Sequence, residues 1–310
     1  MDMTKRVEFA VELMKKLNFP SDAIGFFKLI ESGYWLSGPY AEELQKMQAD
    51  YMAGAIEKQP ALERLVAIGA EAQIPHRSLH EVFYLNAAAE LYEKYKERGI
   101  DEQIFYDSMS DLKWKLMECR ELRGVWGNDT FGWSHGFFIM DRFALGRLQF
   151  EEREHNNDDY TFGGITLKNG DPVLNMHIPS AGPFPRELRY ASYRKAYEFY
   201  PDIRVGGKYL PIRCSSWLLN PDHDKYLDPN SNIVDFLHDF DVFESGWDEL
   251  PGDLWRVFGH HISKPVDELP TDTSLRRNYV RLMKEVGKAG WGRGLILFDG
   301  EKIVNNKRGE

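Results

Sequence analysis

In the stretch NMHIPSAGPFPRELRYASYRKAYEFYPDI, which begins at Asn175, groups that can do chemistry are crowded around one turn. An imidazole with its ordinary pKa of ~6.5 can take a proton from an amine or an alcohol, so His177 is a candidate general base. If VLNMHI is a strand, alternation puts Val173, Asn175 and His177 on one face and Leu174, Met176 and Ile178 on the other. Asn175 and His177 then form a polar patch. The same residues also suit a core histidine bonded to a backbone carbonyl. The turn Pro179-Ser180-Ala181-Gly182-Pro183 leads into a helix near Arg186. The first N–H groups of a helix have no internal partner and favour an anion, and Arg186, Arg189 and Arg194 recur at helical spacing beside them. Against an anion stand Pro179, Pro183 and Pro185, which have no N–H, and the negative Glu187. The competing reading is a rigid corner under a solvated basic helix face.

The elements that must position these groups fall into two halves. In the first, VEFAVELMKKL sets Val7, Ala10, Val11, Met14 and Leu17 on one helical stripe. Ser21 or Asp22 suits an N-cap, Pro60 a first helical position and Gly99 a helix stop. With the segments from Ser78 and Asp101 the pattern gives five or six helices on short connections, an all-α domain. The period then changes. GRLQFEERE alternates Leu148 and Phe150 against Gln149 and Glu151, as a half-buried strand does. GITL and PVLNMHI are short strands split by the turn KNGD; YLPIRCSSWLL and DLWRVFGHHI are further apolar runs read as strands. Helical patterns lie between, at 186–200, about 231–240 and 274–289, and WGRGLILFDGE closes the chain as a strand entered through glycines. The fold class is therefore α+β: helices over 1–143, then a mixed α/β sheet over 144–310.

Composition narrows the function classes. The chain has 310 residues and a net charge of −10, which disfavours nucleic acid as a partner. The two cysteines, Cys119 and Cys214, are far apart and make no CxxC, which excludes a disulfide framework and suits a cytoplasmic setting. No apolar run approaches the ~20 residues of a membrane-spanning helix, so no membrane partner is expected. His76 and His80 stand four apart without the glutamate of HExxH, and His260 and His261 are adjacent, so no metal is expected. GxSxG and GxxxxGK[ST] are absent; GWGRG enters a strand and reads as a bend rather than a phosphate cradle.

The segments FALGRLQFE, LNMHIPSAGPF, CSSWLLNPDHDKYLDPNSNIVDF and RVFG…LPTDTSLRRN…GLILFDG resemble, in this order, a bacterial two-domain acyltransferase-like family. Its members join a helical N-acyltransferase N-terminal domain to a GNAT-like C-terminal domain. The resemblance implies acyl-CoA as co-substrate, with its pyrophosphate on backbone N–H groups at the turn of Ser180, Ala181 and Gly182 and on Arg186 and Arg189. The turn departs from the family's usual pattern in having one glycine. The resemblance further implies that the strand after the turn splays from its neighbour to admit the pantetheine arm, with Cys214 or Ser216 lining that slot, and that Tyr226 stands where a general acid protonates the CoA thiolate. As a nucleophile Cys214 has no assured base, and burial as a small hydrophobe competes. Ser231 and Asn232 read as helix caps. The reading is transfer of an acyl group to a small-molecule amine or hydroxyl by direct attack, with His177 as base. Aromatics of the helical half (Phe105, Tyr106, Trp114, Trp126, Phe131 and Trp133) suit either an acceptor pocket or a core. A homodimer is left open. A second reading, favoured by the prolines and the missing glycine, is a non-catalytic GNAT-like ligand-binding or regulatory module.

Overall fold

The computed structural model describes residues 2–248 and 252–306. The chain divides into two compact units, Met1–Ala144 and Leu145–Glu310.

The first unit is helical: α1 (Met3–Lys16), α2 (Ser21–Ile30), α3 (Ala41–Met52), α4 (Lys58–Ala72), α5 (His76–Glu97), α6 (Glu102–Arg123) and α7 (Phe131–Phe138), with a π turn at Glu31–Trp35. Asp2 and Asp101 cap α1 and α6 through their side chains, whereas α2 starts at Ser21 behind Pro20 with no side-chain cap. Pro60 is the third residue of α4, and Gly99, at φ +65°, lies just past the end of α5. α5 is the axis of the unit. From Ser78 to Ala89 every residue is buried, so this helix shows no single apolar stripe. The aromatics named above go to separate places. Phe105 packs on Phe9, Tyr92 and Tyr95; Phe131 packs on Tyr84 and His80; Trp133 donates to Asp111 Oδ2 at 3.0 Å.

The second unit is built on a sheet of strand order β1-β2-β5-β6-β8-β7, the unit boundary falling within β1. The strands are β1 (Arg142–Leu145), β2 (Leu148–Glu154), β3 (Tyr160–Phe162), β4 (Ile165–Leu167), β5 (Pro172–His177), β6 (Leu210–Ser216), β7 (Asp241–Asp248) and β8 (Ala289–Phe298), with β3 and β4 as a separate hairpin. The helices are α8 (Arg186–Phe199), α9 (His223–Tyr226), α10 (Asn232–Leu237), α11 (Trp255–Phe258) and α12 (Ser274–Val286). α8 lays Tyr190, Tyr193 and Tyr197 against Phe298 of β8. A second core cluster joins Val234, Val257, Phe258, Leu269 and Tyr279 beneath the short helices.

One strand expectation fails here, and one strand gives no sequence signal. DLWRVFGHHI is not a strand: it folds as α11 flanked by 3-10 turns, with Leu254, Val257 and Phe258 buried at i, i+3, i+4 spacing. DVFESGWD, which carries no clear alternation, is β7. The glycines of GWGRG lie inside β8 rather than before it, because a neighbour crosses that face. A Cβ at Gly292 would stand 2.1 Å from the Leu219 carbonyl oxygen, and one at Gly290 2.5 Å from Asn220 Oδ1.

Candidate active site

Residues opposed across neighbouring strands share a face, so the register of the sheet assembles the site. Gln149 of β2 opposes His177 of β5, and Glu151 opposes Asn175; Asn175 in turn opposes Arg213 of β6. The buried Glu151 carboxylate collects the row. His177 Nε2 lies 2.9 Å from Glu151 Oε1, Asn175 Nδ2 donates to the same oxygen at 3.1 Å, and Arg153 Nη2 pairs with Oε2 at 2.8 Å. An ionised carboxylate only accepts, so Nε2 carries the proton and the lone pair of the neutral ring is on Nδ1. Asn175 Nδ2 also lies 3.1 Å from His177 Nε2, and with Nε2 protonated this is a contact between two donors that the shared carboxylate holds together. A carboxylate that orients an imidazole and stabilises its protonated form is the arrangement a general base needs.

Arg213 stands beside this group. Burial, then the nearby Arg293 and Arg153, hold its guanidinium below the ordinary value, and Glu151 opposes them. Arg213 donates to Asn156 Oδ1, and Arg293 pairs with Glu244 at 2.6 Å.

Next to His177 the β5–β6 ladder ends. β5 and β6 pair in parallel only at Leu174–Ile212 and Asn175–Arg213. Both strands continue, β5 through Met176 and His177 and β6 through Cys214, Ser215 and Ser216, without further pairing between them. Beyond the last paired position His177 ends β5, and Cys214 to Ser216 continue β6 against β8. Cys214 is fully buried, and burial pushes its thiol up to about 12, so it packs as a small hydrophobe. Ser216 accepts the Leu218 N–H at 3.1 Å and caps the 3-10 turn Trp217–Leu219.

The turn after β5 is gripped from outside by Arg147. Its guanidinium donates to the carbonyls of Pro179 (2.9 Å), Pro183 (3.0 Å) and Gly182 (3.2 Å), and burial pushes it down to about 10. Three peptide oxygens thus face a cation, and the Ala181 N–H is bonded to the Pro179 carbonyl at 2.8 Å. Gly182 holds φ +77°, which a side chain would strain. Ser180 Oγ lies 3.2 Å from Arg256 Nη1. α8 begins behind Pro185 with no side-chain cap.

The arginines of α8 differ from the expectation of one solvated basic face. Arg186 is exposed and pairs with Asp235. Arg189 is fully buried, pairing with Asp239 (2.9 Å) and Asp235 (2.6 Å) and donating to the Phe184 carbonyl at 3.1 Å. It ties the turn to α10, whose N-cap is Ser231. Arg194 is exposed. Tyr226 is 3% exposed, and its hydroxyl donates to Glu285 Oε2 and accepts from Lys225 Nζ, each at 2.9 Å. His76 and His80 meet as tilted rings with centroids 5.2 Å apart, and among the described residues no group of three His, Cys, Asp or Glu is placed to hold a metal.

Glu151, Arg147 and Arg213 were not singled out from sequence. The signal for Glu151 was present: the alternation of GRLQFEERE puts Gln149 and Glu151 on a polar face. Only strand pairing shows that this face adjoins His177.

The chain matches the N-acyltransferase N-terminal domain family over residues 8–140 and the GNAT-like C-terminal domain family over residues 143–296. Among solved structures it is similar to an acyltransferase in complex with decanoyl-CoA and teicoplanin, at 21% identity over 93% of this chain and 99% of that one, with a TM-score of 0.59. It is also similar to an acyltransferase in complex with CoA and 10C-teicoplanin (20% identity, 93% and 99% covered, TM-score 0.60) and to an acyltransferase mutant in complex with octanoyl-CoA (21%, 94% and 99%, TM-score 0.59). At these identities the likeness is one of fold. No curated protein matches the sequence.

Proposed function

We propose that this chain, which joins an N-acyltransferase N-terminal domain to a GNAT-like C-terminal domain, transfers an acyl group from acyl-CoA to an amine or hydroxyl of a small-molecule acceptor. The observation that carries the reading is the end of the β5–β6 ladder beside the Glu151–His177 pair. Diverging strands expose backbone N–H and C=O groups to an extended amide-bearing arm such as pantetheine, in the manner of an added strand. The thioester at the end of that arm meets His177. The acceptor attacks the thioester carbonyl directly while the imidazole, held by Glu151 and Asn175, takes its proton. The C–S bond then breaks and the departing thiolate takes a proton from the imidazolium. No acyl-enzyme is needed, and the buried Cys214 supports none. Tyr226, the other candidate donor for the thiolate, has its hydroxyl on Glu285. For the phosphates we assign the turn of Ser180, Ala181 and Gly182 with the start of α8 and Arg186, Arg189 acting by holding the turn in place. The similar solved structures that hold decanoyl-CoA and octanoyl-CoA support a co-substrate of this kind.

The test is ligand-dependent melting. A ligand at 100 times its Kd that binds only the folded chain adds ~2.7 kcal/mol of stability. Octanoyl-CoA should raise Tm. Acetyl-CoA, octanoyl-CoA and free CoA all leaving Tm unmoved at millimolar concentration would favour the other reading, a non-catalytic module.

A further inference from the structure

A cleft of about 560 Å³ opens on the second unit where β2 runs on past Glu154, lined by His155, Asn157, Asp158, Asp159, Phe243 and Glu244 among others. Its wall is unusual in the balance of donors and acceptors. His155 is 1% exposed; its Nε2 lies 3.0 Å from the Asp158 carbonyl, which can only accept, so Nε2 carries the proton and Nδ1 is left as an acceptor. Among the described residues Nδ1 has no partner, and neither does the buried Oδ1 of Asn157. Asp158 and Asp159 are exposed carboxylates, and Asp159 Oδ1 accepts the Asn169 N–H at 2.9 Å. Of the donors around the cleft, Tyr160 Oη donates to Asp241 at 2.8 Å, Arg213 Nη1 to Asn156 Oδ1, and Arg293 Nη1 to Glu244 Oε2.

A buried acceptor without a donor is costly, so such a wall calls for a ligand that brings several donors and positive charge. We propose that this cleft holds a cationic amine group of the acyl acceptor. The ring of Phe243, which is partly exposed at the cleft's edge, suits a cation as well. A metal ion fits less well, since no three ligating side chains converge among the described residues.

Side chains link the cleft to the candidate active site. Asn156, next to His155, is bonded to Arg213, which opposes Asn175. From Glu151 to His155 the chain advances four residues, roughly 13 Å at strand rise. The group in the cleft is therefore not the one that is acylated. The acceptor is an extended molecule whose nucleophile reaches His177 while a second, cationic group is anchored in the cleft. Binding of the amine can be measured without acyl-CoA, although its role in the reaction rests on the acyltransferase reading.

The experiment titrates the full chain with spermidine by calorimetry, with sorbitol as the neutral, hydroxyl-rich control and octanoyl-CoA in parallel. The expected result is saturable spermidine binding that weakens as salt rises and falls ~10-fold or more in Asp158→Asn/Asp159→Asn, with octanoyl-CoA binding unchanged in that variant. Both substitutions are on exposed side chains and keep Oδ1, so the Asn169 contact survives. Absence of spermidine binding, equal binding in the double variant, or equally tight sorbitol binding overturns the proposal even where octanoyl-CoA still binds. Spermidine binding without octanoyl-CoA binding supports the cation site and contradicts the acyl-CoA reading instead.

Discussion

Each unit places histidine close to carboxylate, and the two do so in opposite surroundings. In the helical unit His80, Glu81, Asp111 and Asn128 lie around the buried middle of α5. Burial pushes His80 down to about 4 and Glu81 well above the carboxylate range. Glu31, also buried, is pushed up to about 8 although Asn86 Nδ2 donates to it at 2.9 Å. Such groups are neutral near pH 7 and serve packing and fit. In the sheet unit Glu151 is equally buried, but it gathers His177, Asn175 and Arg153, and the His177 side chain is 22% exposed where the β5–β6 ladder ends. The difference teaches that a histidine–carboxylate pair becomes a candidate catalyst through access and charge pairing rather than through proximity alone.

The sharpest way to break this contrast is to exchange the groups that define it. His177→Asn should lower turnover, followed as release of free CoA thiol, by ~10²–10⁴-fold, with octanoyl-CoA affinity little changed and a stability loss of only ~1 kcal/mol. Glu151→Gln should lower turnover in the same sense, because the amide no longer stabilises an imidazolium. Full activity in either variant would make the pair structural.

In the helical unit the effect should be on stability and on its pH dependence. Glu31 has a folded pKa above its unfolded value, so the folded state binds the extra proton. Its contribution to stability is complete below about 4.5 and is lost as pH rises towards 8. The depressed His80 acts in the opposite sense, adding stability as pH rises through about 4 to 6.5, so the Glu31 effect is clearest between about 6.5 and 8. There it removes up to ~1.4 kcal/mol per pH unit. Urea titrations at these two pH values should show stability falling in the wild type and falling less in Glu31→Gln. An equal fall in both would mean that Glu31 is ionised in the fold.

How far sequence reached follows the same division. His177 and Asn175 could be placed on one face because a six-residue strand has a strict period of two. Their partner Glu151 lies outside that stretch, and only the antiparallel register of β2 and β5 brings it there. The amphipathic stripe marked α1, whereas α5, buried all round, gave pattern but no face. Spacing put Arg186, Arg189 and Arg194 on one helix face, yet Asp235 of α10 and Asp239 just after it pair with Arg189, which is buried. DLWRVFGHHI reads as a strand because a single-turn helix is too short for periodicity to decide, and DVFESGWD gives no reading because its alternation is unclear.

The smallest effect concerns Cys214. Cys214→Ala should leave turnover unchanged and cost about 1 kcal/mol. A thiol reagent at pH 8 should label the native chain slowly and the urea-unfolded chain fast, since burial raises both Cys119 and Cys214. Rapid native labelling, or lost turnover, would reopen an acyl-enzyme route.

The central claim, that the slot beside His177 receives the acyl-CoA, is tested most directly by a crystal structure with octanoyl-CoA bound. The account predicts the pantetheine arm between Met176–His177 and Cys214–Ser216, with the thioester carbonyl within reach of His177. An arm bound elsewhere, with β5 and β6 closed over an empty slot, would contradict it.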